Sequence, residues 1–458
     1  MSSDWFKNLR LHPLRLPAST RTTNGGAPLL AALAEYRKTE RLPFAELDRQ
    51  QRALLLALAT HAAAYSPNFT DRLRVAGLTP EALAQPGGLS QLPPLTRQDV
   101  LDAGDSLFCR SLPPGHGRVN SSSTTGSTGQ VVTIRSTDFC HLHWQAFTLR
   151  EHLWHNRNFG GRLAVARANI SESADYPDWG PPCNLLLRTG PASAMPATRP
   201  VDDLRQWLVN FDPHYLLAVP NSLAAIVARF EETGQKLGHL RGVRTLGETV
   251  SDRLREEVRR VLGLEIHDTY SSQEGGVMAT QCPEAGCYHV SETILLEIVD
   301  PAGRPCAPGQ SGRILVTNLL NFATPLIRYE IGDYAEVAPT CRCGRGLPSI
   351  RRFLGRMRNL VMLPDGTRHW PTFGFQQWGD VFPVRQFQFI QEDRHTIIAR
   401  MSAHGRPTPE QEAWLTKIIC GSLGHPFTLR FHWQDEPLPR GPGGKFEEFQ
   451  CQVPQNAN

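Results

Sequence analysis

Ser121-Ser122-Ser123-Thr124-Thr125-Gly126-Ser127-Thr128-Gly129 offers hydroxyl and backbone N–H donors with little side-chain bulk. Such a loop can wrap an anion, for example a polyphosphate. It lacks the Lys-Ser/Thr ending of the Walker loop, which excludes a P-loop nucleotide triphosphatase. A flexible Ser/Gly linker has a similar composition. The strand Val131-Val132-Thr133-Ile134 that follows favours an ordered loop, because linkers seldom run directly into a core strand. A second chemistry lies in two tight groups, Cys282-Pro283-Glu284-Ala285-Gly286-Cys287-Tyr288-His289 and Cys341-Arg342-Cys343-Gly344-Arg345. They offer five thiol or imidazole donors for the four places of a closed tetrahedral zinc site. Zinc there would be structural, since a closed site leaves no position for substrate. Unpaired buried cysteines are the plain alternative.

These groups need elements to position them. The first hundred residues read as helical: Ala45 to Tyr65 is rich in Leu and Ala, and Pro67 stops it. Leu92-Pro93-Pro94-Leu95-Thr96 is a rigid loop, and Thr96 caps a short helix with Asp99 at its third position. From about 160 to 320 short apolar strands alternate with helices, among them Leu163 to Ala166 and Tyr215 to Val219. Ser251 to Leu262 is an amphipathic helix with Leu254, Val258, Val261 and Leu262 on one side. This predicts an α/β fold, a sheet with helices on its faces. Beyond Leu360 the pattern changes to short strands, Gln388 to Ile390 and Thr396 to Met401, and one helix over about 408–422. A small α+β domain fits, with Gly355-Arg356 as the junction: residues 1–354 form the large domain and 355–458 the small one.

With 458 residues the chain exceeds one ordinary core. A formal charge of +4, from 48 basic and 44 acidic residues, does not argue for a nucleic-acid partner. The apolar stretch Ala53 to Ala64 is too short for a membrane span, and Met1 to Leu16 has no continuous apolar core. A cytoplasmic location with reduced cysteines is the expectation, and ten cysteines are more than routine packing needs. His141, His143, Trp144, His152, Trp154 and His155 crowd one predicted helix after the hydroxyl loop. They read as mixed core and surface positions, a few facing a substrate pocket, and Tyr176 to Trp179 is a further candidate lining.

Thr124-Thr125-Gly126-Ser127-Thr128-Gly129 resembles the phosphate loop of the adenylate-forming superfamily, which includes acyl-CoA synthetases and adenylation domains. Val131 and Val132 stand where that loop usually continues with Pro and Lys. Five more motifs follow in the superfamily's order. Thr245-Leu246-Gly247-Glu248-Thr249-Val250 is similar to the segment that runs past the adenine, where Gly247 would let the backbone approach a flat ring. Tyr270-Ser271-Ser272-Gln273-Glu274-Gly275-Gly276 resembles the motif whose aromatic residue stacks near adenine and whose Glu holds magnesium, a cation that prefers oxygen ligands. Ile327-Arg328-Tyr329-Glu330-Ile331-Gly332-Asp333 is similar to the motif whose Asp accepts from both ribose hydroxyls. Gly355-Arg356 resembles the hinge, where Arg contacts the nucleotide, although Met357, Arg358 and Asn359 replace the usual acid after it. Lys445, after Pro439-Arg440-Gly441-Pro442-Gly443-Gly444, looks like the late catalytic lysine. Alone, each is an ordinary turn, cap or tail; together, in order over residues 121–445, they are specific.

The likeness is nearest to the phenylacetate–CoA ligase group of aryl-CoA ligases. It implies ATP and magnesium as cofactors, a small carboxylic acid as substrate and CoA, or the phosphopantetheine arm of a carrier protein, as acceptor. It implies Cys282, His289, Cys341 and Cys343 as zinc ligands with Cys287 spare, and dimers are common in the group. The alternatives are a ligase that loads a carrier protein or an amine, and a non-catalytic relative that kept the fold.

Overall fold

The computed structural model describes residues 26–124, 132–167, 169–356, 360–369, 378, 381–439 and 446–453. The helical opening is as expected. The Phe44–Tyr65 helix ends at Ser66, whose N–H donates to the Ala62 carbonyl at 2.8 Å. Pro67 does more than stop it: with no N–H to satisfy, it takes the first position of the next helix, Pro67–Ala76. Thr96 and Asp99 form a full capping box on the Arg97–Ala103 helix.

The strands assemble into a 12-stranded sheet. Leu163–Arg167, Ala192–Pro196, Tyr215–Ala218, Gly242–Leu246 and Ile266–Ser272 are parallel neighbours, joined by helices such as Pro220–Thr233 and Asp252–Leu262. The alternation read over 160–320 stops there. From Ile266–Ser272 onward the strands are antiparallel and no helix intervenes before residue 357. The reason is connection length. Only three residues separate Gly276–Gln281 from Ser272, and a crossover to a parallel partner needs a dozen or more. Gly332 and Asp333 lie inside the nine-residue strand Tyr329–Val337 rather than in a turn.

Two cores fill the two halves of this sheet. One packs Leu204, Leu208, Leu223, Ile226, Phe230 and Val258 against the parallel strands. The other gathers Met278, Tyr288, Val290, Ile314, Val316 and Ile350 among the antiparallel strands. A separate core, with Phe387, Phe389, Ile397, Leu415 and Phe449, belongs wholly to residues 361–451. There a four-stranded sheet carries the helix Pro409–Leu423. Gly355 and Arg356, expected at the junction, close the Ser349–Arg356 strand of the large sheet. Among the described residues no helix is long and apolar enough to cross a membrane.

Arg328 locks the helical opening to the sheet. Its Nε donates to both Glu297 oxygens at 3.1 Å, and its Nη1 to the carbonyls of Ser90 (2.9 Å) and Leu92 (2.7 Å). Beside it, Leu95 N–H donates to the Arg328 carbonyl and Glu330 N–H to the Leu95 carbonyl, both at 2.9 Å. Arg328 has φ +59°, outside the usual region for a side-chain-bearing residue, and this clamp holds it there. Arg328→Ala should lower stability by about 2 kcal/mol, because it strands a half-buried acid and two carbonyls. Chemical denaturation measures it, and an unchanged midpoint would show that the loop is held by other contacts.

Candidate active site

A cleft of about 1920 Å³ opens at the carboxyl ends of the parallel strands, lined there by Arg167, Val219 and Leu246. Ligands of open α/β sheets bind in this crevice. Gly247, Glu248, Tyr270, Ser271, Glu274, Asp333 and Arg356 all line it. Residues spread over more than a hundred positions are thus brought to one wall. Thr124 ends the strand Val119–Thr124, which pairs in register with Val132 on the returning strand. Thr125, Gly126, Ser127, Thr128, Gly129 and Lys445 lie outside the described residues.

Asp333 is the centre of the wall. Tyr270 donates its hydroxyl to Asp333 Oδ2 at 2.7 Å, and Arg356 Nε lies 3.4 Å from Oδ1. Arg356 stands directly across from Asp333 in strand register. A carboxylate accepts about four hydrogen bonds, so capacity remains for two further donors. Burial and the Asp333 charge push the Tyr270 hydroxyl well above its ordinary range, so it stays a donor. Its ring stacks on Phe353 at 3.8 Å and 17°. A register shift between Tyr270 and Ser271 marks a bulge, a device that re-aims side chains.

Glu274 is 8% exposed, not a solvated turn residue, and has no ion pair among the described residues. An unpaired carboxylate in a cleft is a fitting oxygen ligand for magnesium. Gly247 has φ +86°, and a Cβ there would meet nothing within 4 Å, so the glycine serves the turn and leaves the space before it open. Glu248 accepts from the backbone and side-chain N–H groups of Asn221, at 3.1 and 2.9 Å. It thereby satisfies an N-terminal N–H of the Pro220–Thr233 helix, which has no side-chain cap of its own. Beneath this wall Asp268 accepts from Thr245 (2.6 Å) and Tyr288 (2.8 Å), tying three strands together.

The two Cys/His groups meet. The donor atoms of Cys282, His289, Cys341 and Cys343 all lie within 4.8 Å of one another, and all four residues are buried. Cys282 and Cys341 sulfurs are 3.8 Å apart, and His289 Nε2 is 3.2 Å from Cys343 Sγ. A tetrahedral ion with metal–sulfur bonds of about 2.3 Å spaces its sulfurs by about 3.8 Å, so the set fits zinc. Cys287 packs beside the cluster, half-buried. Positive-φ glycines, Gly286 and Gly344, turn each group inward.

The crowded helix, Asp138–Trp154, divides its histidines. His141, His143 and Trp144 line the cleft. His152 and His155 instead join a buried network in which Arg157 pairs with both Glu151 oxygens, at 2.7 and 2.6 Å, and Arg244 approaches at 3.1 Å. Tyr176 is exposed and Trp179 is core, so neither lines the cleft. Phe353, Asn221 and Glu448 escaped the sequence reading. Phe353 had only its nearness to Gly355-Arg356 as a signal, because a bulge between Phe353 and Gly355 breaks the alternation of the strand. Asn221 and Glu448 had none, because their positions are set by chain segments far away in sequence.

Glu448 brings the smaller core to the cleft. Burial pushes its carboxyl up to about 7, with Glu257 adding to the rise and Arg253 opposing it. A carboxyl raised from its ordinary 4.5 stabilises the docked arrangement fully below pH 4.5, and that contribution is lost as pH climbs to about 7. The melting temperature should therefore fall between pH 5 and 7, and Glu448→Gln should flatten that slope. An identical slope in the variant would assign it to other groups.

No family model matches the chain. Over 327 residues it is 23% identical to phenylacetate–coenzyme A ligase of Escherichia coli (strain K12), covering 69% of this chain and 73% of that protein. In structure it is similar to 2-hydroxyisobutyryl-CoA ligase in its postadenylation state, with TM-score 0.71 at 17% identity over 91% of this chain and 92% of the other. The same ligase in an open conformation gives 0.59. An anthranilate CoA ligase gives 0.51 at 16% identity, over 71% of this chain and 65% of the other. The chain thus has the fold of these adenylate-forming ligases, and its sequence is similar to the phenylacetate–CoA ligases.

Proposed function

We propose that the protein is an AMP-forming acid–thiol ligase. A carboxylic acid, aryl or arylacetic by its sequence likeness, attacks the α-phosphate of ATP and releases pyrophosphate. A thiol, most simply that of CoA, then attacks the acyl-adenylate carbonyl and releases AMP. The observation that carries this reading is the convergence of Gly247, Tyr270, Glu274, Asp333 and Arg356 on one cleft. Asp333 would accept from the two ribose hydroxyls, oriented by Tyr270 and Arg356. The Tyr270–Phe353 pair would offer the flat surface beside the adenine, and open space at Gly247 would admit the ring. Thr124 to Gly129 would supply donors to the phosphates, and Glu248 would brace the turn through Asn221. Catalysis of this displacement is mostly positioning and charge neutralisation. Magnesium held by Glu274 would neutralise phosphate charge.

Lys445 would neutralise the α-phosphate and the incoming carboxylate. Residues 355–458 would then rotate as a unit against residues 1–354, withdrawing Lys445 and admitting the thiol. Zinc on Cys282, His289, Cys341 and Cys343 would be structural. A cytoplasmic enzyme with reduced thiols suits all of this.

Pyrophosphate release with ATP, magnesium and a panel of aryl, arylacetic and aliphatic acids tests the reading. Release with one acid class is expected, and a product that forms only with CoA identifies the acceptor. A carrier protein or an amine in place of CoA would move the assignment to the other acceptor class, and silence with every acid would withdraw it. Asp333→Asn should raise the KM for ATP about tenfold, through lost charge-assisted hydrogen bonds. Lys445→Ala should slow adenylation about 100-fold while thioester formation from supplied acyl-adenylate changes much less; equal losses would remove Lys445 from its role. Elemental analysis should find one zinc per chain, and chelation should lower the melting temperature without changing the KM for ATP.

A further inference from the structure

Cys140, His143, Trp144, Phe147, Val277 and Thr293 also line the cleft, on the Asp138–Trp154 helix and its neighbours. A pocket for a plain hydrocarbon acid would be apolar there. Instead it contains His143, which is only 3% exposed. His143 Nδ1 lies 2.5 Å from the Tyr36 hydroxyl. That bond commits Nδ1 and leaves Nε2 as the one other polar atom of the ring. The ring is fixed by aromatic neighbours: Phe139 meets it edge-on at 4.4 Å, and Tyr36 stacks on Phe147 at 4.3 Å. With Nδ1 committed, Nε2 is buried with no partner among the described residues. A buried polar nitrogen without a partner is costly, and native proteins rarely keep one without use.

We infer that His143 is a specificity-determining residue, whose Nε2 hydrogen-bonds a neutral polar group that the acid carries away from its carboxylate. The substrate class is then a hydroxylated, keto or heteroaromatic acid rather than a plain hydrocarbon one. A second carboxylate is the wrong chemistry for this position. Burial holds the imidazole uncharged, with its pKa down at about 4, and an anion placed against it would be desolvated without a countercharge. The inference rests on the acid–thiol ligase reading and names the substrate class of the same cleft.

The experiment compares kcat/KM for pyrophosphate release within matched pairs of acids: phenylacetate against its 3- and 4-hydroxy derivatives, benzoate against the same two, and phenylacetate against the pyridylacetates. The wild-type protein should favour the member bearing the extra polar group in at least one pair by about 10- to 100-fold. His143→Phe should bring that ratio toward one. His143→Gln, whose amide can reach the place of Nε2, should keep part of it, and Tyr36→Phe, which frees Nδ1, should fall between. General damage to the fold lowers both members of a pair alike and leaves the ratio standing. Should the variants fail to fold, the imidazole nitrogen resonances of His143 in the wild-type protein decide: Nε2 should shift when the preferred acid binds. Indifference of the wild type to every such group, a preference that survives His143→Phe, or an unmoved Nε2 resonance would each overturn the inference while leaving the ligase reading intact. Silence with all acids would withdraw both.

Discussion

The hydrogen bond from Tyr270 to Asp333 sets the shape of the antiparallel half of the molecule. In strand order Tyr329–Val337 lies four places from Ile266–Ser272. In a flat sheet, with strands spaced about 4.8 Å, their backbones would stand about 19 Å apart. The two side chains nonetheless meet at 2.7 Å, and Phe353, three places away, stacks on the same ring at 3.8 Å. Only a sheet that curls on itself allows both contacts. Met278, Tyr288, Val290, Ile314, Val316 and Ile350 fill the inside of that curl. The cleft wall is therefore a product of sheet curvature, and its residues cannot be moved one at a time.

Three buried polar clusters hold that curvature in place from outside the cleft. Arg328 binds the helical opening to the strands at 294–299 and 329–337. The Cys/His cluster joins the ends of two antiparallel segments, and its Arg345 lies over Trp154 at 4.3 Å. The Glu151–Arg157–Arg244 network sits under the parallel half, with Arg244 three residues before Gly247. Each cluster mixes charges with few alternatives for their partners. Such groups cost much when half-satisfied and specify one arrangement when complete. All three lie beside, rather than in, the cleft, so a rigid frame carries the wall.

The sequence disclosed the local parts of this design and not the global ones. The cap at Thr96, and the strands Leu163–Arg167 and Tyr215–Ala218, follow from period and turn chemistry over a few residues. The Cys/His pairing was legible because thiols at that spacing have few other uses. The antiparallel run after Ile266 was not, since short apolar strands look alike whichever neighbour they choose. Asp333 was legible through its motif, whereas the ordinary hairpin turn that Gly332 also suggests locally is not formed, because the curled sheet accommodates both residues within a strand. Glu248 matched a nucleotide motif, yet its carboxylate is engaged by Asn221, a residue whose relevance depends on a helix start elsewhere.

A two-step reaction that reuses one cleft would require the smaller unit to dock weakly. The described contacts fit that requirement. Asn221 spans the two cores, donating to Glu248 in the large one and to the Phe446 carbonyl in the small one, the latter at 3.3 Å. Glu448 faces Arg253 and Glu257 on the Asp252–Leu262 helix, one attraction set against one repulsion. These are polar, partly opposed interactions, of the kind found between domains that move, whereas obligate partners bury large apolar faces. The small unit keeps its own apolar core of Phe387, Phe389, Ile397, Leu415 and Phe449, so its fold does not depend on where it docks. The large unit presents the cleft and the small one brings residues to its edge. An arrangement held by a few partly opposed polar contacts is one in which a modest change in charge, such as loss of pyrophosphate, shifts the balance between docked states.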